Sequence, residues 1–223
     1  MNNNKLSIDQ IKLVIFDMDG LMFDTERLGI EGWKYAFEHF GLPIPMSILI
    51  KKIGLNSVDS RKLFDEEIKY EFDYKSVKEV KREYVINYIR EHGTPIKKGL
   101  LELLDFLDEN NIKKVVATSR SEKMAGFYLS EAKIQHRFDA IITGDMVSKG
   151  KPNPDIFIHA SKLFNYEPAN CIVLEDSLNG INAAVNAKMI PVMIPDLVHP
   201  NEEIEKLIYE KNNTLIEVID LFA

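Results

Sequence analysis

Five short apolar runs, rich in β-branched residues, constrain this chain more than any other feature. They are Leu13-Val14-Ile15-Phe16, Val115-Val116-Ala117, Ala140-Ile141-Ile142, Ile172-Val173-Leu174 and Pro191-Val192-Met193-Ile194. Runs of this length and composition suit strands buried on both faces of a parallel sheet. Helical patterns fall between them. Residues 99–110 carry Leu100, Leu103, Leu104 and Leu107 on one face, and 122–132, 154–164 and 177–187 read as further helices. Strands alternating with helices predict βαβ units and a parallel sheet.

The stretch from residue 25 to residue 94 breaks this rhythm. It shows no convincing strand and several amphipathic helical stretches, including Leu28–Phe40, Ser57–Tyr70 and Tyr74–Glu91, with breaks at Gly41-Leu42-Pro43-Ile44-Pro45 and at Gly54. The expected architecture is therefore α/β: a Rossmann-like parallel sheet with helices on both faces, formed by residues 1–24 and 95–223, carrying an inserted all-helical cap of residues 25–94. The amphipathic ending, Leu215–Leu221, is expected to pack on the core.

Composition narrows the classes. A chain of 223 residues can bury a full core, and 45% hydrophobic with 28% charged residues is ordinary for a globular protein. One cysteine, Cys171, allows no internal disulfide and no multi-cysteine zinc site. A net charge of −7 disfavours nucleic acid and anionic membrane as partners. The polar start, Met1–Lys5, has no signal-peptide pattern, and no run approaches the roughly 20 apolar residues of a spanning helix. A cytoplasmic monomer is expected.

Open parallel sheets bind ligands at the carboxyl ends of their strands. After the first run stands Asp17-Met18-Asp19-Gly20. Two carboxylates so close raise each other's pKa unless a cation lies between them, which points to a hard ion such as Mg2+. After the second run stands Thr118-Ser119-Arg120, hydroxyls and amides able to hold an anion at a helix start. Lys151 lies in Gly150-Lys151-Pro152-Asn153-Pro154, where two prolines restrain the backbone beside it. Glu175-Asp176-Ser177 ends the fourth run and opens a helix. Taken singly, each group also reads as a turn, a helix cap or a solvated loop. Taken together, they can converge at one sheet edge and bind a divalent metal and a phosphoryl group.

The same residues give the chain its resemblance to the haloacid dehalogenase superfamily, in its β-phosphoglucomutase-like phosphatase subgroup. Asp17-Met18-Asp19-Gly20-Leu21 followed by Asp24-Thr25-Glu26 resembles the first family motif, Thr118 the second, Lys151 the third, and Glu175-Asp176-Ser177 with Gly180 and Ala183-Ala184 the fourth. The resemblance spans nearly the whole chain. It implies that Asp17 is the nucleophile and forms an aspartyl-phosphate. It implies that Asp19 is the general acid and base, a role served by a pKa near neutrality. Mg2+ would be held by Asp17, the Asp19 carbonyl and Asp176, with Glu175 a direct or outer ligand. Thr118, Ser119, Arg120 and Lys151 would hold the phosphoryl group. The second aspartate separates the chain from the family's metal-free dehalogenases.

The cap is expected to select the leaving group by closing over the site. Its polar candidates are Asn56, Ser57, Lys81 and Arg82; phosphonate hydrolysis would need a Schiff-base lysine, for which Lys51, Lys52 and Lys81 are present but none is marked out by its context. The mutase members carry a His at the position of Gly29 and an Arg in the loop Gly54-Leu55-Asn56-Ser57; both are absent here. The expected function is a Mg2+-dependent phosphatase of a small phosphorylated metabolite, a sugar or nucleoside phosphate. The alternatives are a sugar-phosphate mutase and a non-catalytic module that binds or accepts phosphate.

Overall fold

The computed structural model describes residues 5–53, 55 and 57–222, the side chain of Ser57 excepted. At its centre lies β1, Leu13–Phe16, whose four side chains are completely buried. It pairs in parallel with β2, Lys113–Thr118, on one side and β4, Cys171–Glu175, on the other. With β3 (Ala140–Thr143), β5 (Ile190–Met193) and β6 (Glu210–Lys211) the described strands form one parallel sheet in the order β3-β2-β1-β4-β5-β6.

Alternation along the strands divides the apolar side chains between two faces. Val14, Phe16, Val116, Ile172 and Leu174 join one cluster, against α5 (Leu100–Glu109) and α6 (Glu122–Glu131). Leu13, Ile15, Val115, Ala117 and Val173 join the other, against α7 (Asp155–Leu163) and α8 (Leu178–Asn186). Each fully buried aliphatic or aromatic side chain contributes about 1.5–3 kcal/mol of transfer free energy. The wholly apolar runs are thus the cost of a sheet covered on both sides. Cys171 sits in the second cluster, and burial pushes its thiol up to about 12.

Between β1 and α5 lie α1 (Thr25–His39), α2 (Met46–Lys51), α3 (Ser57–Glu67) and α4 (Tyr74–His92). They enclose an apolar cluster of their own, built on Trp33, Phe37, Leu49, Phe64, Tyr74 and Val77. Gly32 lets α1 lie close to α4, since a Cβ there would come within 3.0 Å of Val85. The chain leaves and re-enters the sheet layer along paired segments. The Asp24 N–H donates to Pro95 O, the Lys97 N–H donates to Met22 O, and Phe23 and Ile96 form an antiparallel bridge.

The helix α2 and the edge strand β6, too short to show periodicity, are not expected from the sequence. The ending Leu215–Leu221 packs on the core as expected, coiled as a 3-10 helix that buries Leu215, Val218 and Leu221. No described helix is long and apolar enough to cross a membrane.

Candidate active site at the carboxyl edge of the sheet

Register places the site. Phe16 lies opposite Val116 and Leu174, so Asp17, Thr118 and Glu175-Asp176 leave the sheet side by side. Asp17 is buried, and its Oδ1 accepts from Lys151 Nζ at 2.5 Å. Lys151 reaches in from the loop before α7 and donates also to Glu175 Oε1 at 2.6 Å and to Ala117 O at 3.1 Å. Its side chain is 6% exposed. Burial opposes its charge, but the Asp17 and Glu175 carboxylates outweigh that and raise its pKa, which favours the ammonium form.

Glu175 has both oxygens engaged. Oε2 accepts from the Asp176 and Ser177 N–H groups and from the Ser177 hydroxyl, while Oε1 takes Lys151. Ser177 caps α8 by accepting from the Gly180 N–H at 3.0 Å. A side chain on Gly180 would overlap the Glu175 carboxylate. The fourth motif therefore joins the start of α8 to the lysine.

Asp17, Glu175 and Asp176 can each bring one carboxylate oxygen within 4.8 Å of the others, the one such group among the described residues. Burial first, then Glu175 and Asp19, push Asp17 up to about 7 against the pull of Lys151. Burial, Glu175 and Asp17 raise Asp176 well above the carboxylate range. Gly20, at φ +78°, lies so close that a Cβ would overlap the Asp176 carboxylate. A buried oxygen set whose charges oppose one another fits a divalent cation.

Asp19 differs. Arg120 grips it with Nε on Oδ2 at 2.7 Å and Nη2 on Oδ1 at 2.6 Å, and the Thr25 hydroxyl also donates to Oδ1. Burial works to raise its pKa, but the Arg120 charge and these hydrogen bonds hold it below the usual value. The expected double role of Asp19 as acid and base is served by a pKa near neutrality, and with Arg120 in place the carboxyl is held below that. Arg120 also stacks over Tyr128, 4.6 Å from the ring centroid. It is thus committed to Asp19, not free for phosphate as the sequence suggested. Thr118 is buried and its Oγ1 accepts from the Arg120 N–H at 3.2 Å. Ser119 is exposed. Asn56 and the Ser57 side chain lie outside the described residues.

Other groups near Asp19 were not singled out together by sequence. Glu26 in α1, Lys52 just past α2 and Lys81 on α4 act electrostatically on one another, on Arg120 and on Asp19. Arg82 is exposed and pairs with Glu79, and Lys51 pairs with Glu67.

The phosphorylated carbohydrates phosphatase of Thermotoga maritima is 31% identical over 181 residues, covering 79% of this chain and 82% of that protein. The β-phosphoglucomutase of Bacillus subtilis is 30% identical over 188 residues, covering 82% of each. The crystal structure of β-phosphoglucomutase from Clostridium difficile superposes with a TM-score of 0.75 at 27% identity, covering 93% of both chains. Residues 14–194 match the haloacid dehalogenase-like hydrolases, from β1 to just past β5, and with the motif residues gathered at one sheet edge the chain belongs to that family.

Proposed function

We propose that this protein is a phosphoric monoester hydrolase that removes phosphate from a small phosphorylated metabolite through an aspartyl-phosphate on Asp17. The observation that carries the reading is the buried Asp17 carboxylate, bonded to Lys151 and grouped with Glu175 and Asp176. Relatives that include a phosphatase of phosphorylated carbohydrates support the substrate class.

Asp17 attacks phosphorus as the ester P–O bond breaks, and the bonding pair stays on the leaving oxygen. Asp19 gives that oxygen a proton, and its acid form requires that the Arg120 bonds holding the carboxyl low give way. Asp19 then takes a proton from water as the water attacks the aspartyl-phosphate, which releases inorganic phosphate and frees the Asp17 carboxylate. Lys151 and Thr118 hold the phosphoryl oxygens while charge develops on them. Asp17, Asp176 and the Asp19 carbonyl would hold Mg2+, with Glu175 outside that set because its oxygens already serve Lys151 and the start of α8. When bound, Mg2+ neutralises the Asp17 and phosphoryl charges that must approach each other. Residues 25–94 act as the cap that covers the site, and residues 1–24 with 95–223 as the catalytic core.

The mutase alternative gains nothing from Gly29, which stands beside Lys81 with no side chain to move a proton. A phosphate-holding module would have no use for the restrained Asp19. Phosphate release from a panel of sugar and nucleoside monophosphates, with and without Mg2+, tests the reading. Metal-dependent release lost in Asp17→Asn supports it, and release undiminished in that variant overturns it. Isomerisation of β-glucose 1-phosphate without release would make the protein a mutase.

A further inference from the structure

Arg120 reaches Asp19 from a loop, and a loop leaves a long side chain free to turn unless something else fixes it. The loop between β2 and α6 is fixed from the end of β3. The Gly144 N–H donates to Arg120 O at 2.9 Å, and a Cβ on Gly144 would lie 2.6 Å from Ser119 O. On the other side of the same residue, Thr118 Oγ1 accepts from the Arg120 N–H. The peptide groups on both sides of Arg120 are therefore held.

The helix that follows is fixed from the same place. Ser121 occupies the cap position of α6, yet its side chain makes no capping bond. The cap is contributed from 23 positions away: the Glu122 N–H donates to the Asp145 carboxylate, 3.3 Å from Oδ1 and 3.1 Å from Oδ2, and the Thr143 hydroxyl also donates to that carboxylate. A carboxylate there supplies the missing acceptor and suits the positive end of the helix dipole. Further along α6 stands Tyr128, 1% exposed, whose carbonyl accepts from the Thr94 hydroxyl at 2.9 Å. Its ring lies beneath the Arg120 guanidinium. Two N–H groups of a guanidinium meet two carboxylate oxygens only when the two planes are aligned. A ring under the guanidinium removes the freedom to turn that an ion pair alone would leave it.

We infer that Tyr128 and Asp145 are positioning residues for the reaction, acting through Arg120. Asp145 fixes where α6 starts, and α6 carries the Tyr128 ring. The ring sets the guanidinium, and the guanidinium holds the Asp19 carboxyl where it meets the leaving oxygen. When the bonds to Asp19 give way, the ring keeps the guanidinium at hand to take the carboxylate again. Neither residue touches the substrate. The inference rests on the phosphatase reading, with Asp19 as proton donor, and adds to it the two residues that aim the donor.

A cycle of variants tests it, read as kcat/KM with Mg2+ for the ester cleaved fastest in the panel of sugar and nucleoside monophosphates. Tyr128→Leu and Asp145→Ala should each change kcat/KM by about threefold or more, in the direction taken by Arg120→Met. Added to Arg120→Met, neither should change it further, because the group they act through is gone. Tyr128→Phe keeps the ring and should stay within about twofold of the wild type. A merely structural role would carry over undiminished into the Arg120→Met background, and that result overturns the inference. So does an unchanged kcat/KM in Arg120→Met or in either single variant, or a Tyr128→Phe as altered as Tyr128→Leu. Asp145 is exposed, so where Tyr128→Leu fails to fold the cycle of Asp145→Ala with Arg120→Met decides alone. Absence of metal-dependent release from every ester of the panel overturns the phosphatase reading, and the inference with it.

Discussion

Arg120 and Asp19 meet through two parallel hydrogen bonds, 2.7 and 2.6 Å long, from one guanidinium to one carboxylate. Two residues earlier, Asp17 is the more buried of the two and is pushed up to about 7, because burial and two further acids outweigh its lysine. The fold thus separates two neighbouring carboxyl groups in acidity. One is held ionised by arginine, and the other waits for a cation.

Arg120→Met should release Asp19. Its carboxyl, now held low, should rise, so the ascending limb of kcat against pH should move to higher pH. Stability should respond with the matching sign. A depressed carboxylate contributes above its unfolded value of 3.8 and loses that contribution as pH falls through its folded value. The gap between wild type and variant in urea midpoints should therefore be widest near neutrality and narrow below pH 3.8. An unmoved kcat profile would remove Arg120 from the control of Asp19.

Mg2+ should compete with protons. Burial and the neighbouring acids push Asp17 up to about 7 and raise Asp176, so binding of the ion should displace protons from them. Apparent affinity should fall as pH drops below 7, by up to about tenfold per pH unit for one competing proton. Titration calorimetry at pH 6 and pH 8, in buffers of different ionisation enthalpy, reads both the affinity and the proton release. An affinity independent of pH would exclude Asp17 as a ligand.

Gly20→Ala should act on the metal rather than on the ester. Its φ of +78° strains an L-residue, and the new methyl group would overlap the Asp176 carboxylate. The Mg2+ concentration giving half-maximal activity should rise by about tenfold or more if Asp176 is a ligand. An unchanged requirement would mean that Asp176 yields without cost.

Ser177→Ala removes both a helix cap and a donor to Glu175. Loss of the cap costs about 1 kcal/mol of stability. The freed Glu175 oxygen should also loosen Lys151, so kcat should fall more than the stability change alone requires. Chemical denaturation and steady-state kinetics on the same variant separate the two effects.

The legible part of the structure was the part fixed along single segments. Leu13–Phe16 reads as a buried strand because a sheet covered on both sides needs apolar residues at every position. Asp17, Thr118 and Glu175 follow because strand ends are where such sheets bind. The helix Met46–Lys51 escaped notice because Pro43 and Pro45 mark a break and only six residues follow before Lys52. The grip of Arg120 on Asp19 joins residues 101 positions apart, and no local pattern announces which acid an arginine will find. The gathering of Glu26, Lys52 and Lys81 depends on how three helical elements pack, and their spacing in the chain carries no trace of it.

The Phe23–Ile96 bridge has a consequence for how such a protein can change. Because departure and return are neighbours in space, everything between them is attached at what amounts to one point on the sheet. Lengthening, shortening or replacing that excursion leaves the register of β1 with β2 and β4 untouched. If the helices cap the site as proposed, the chemistry and the choice of molecule would be separately heritable: a lineage could exchange one as a cassette while the other stays in place.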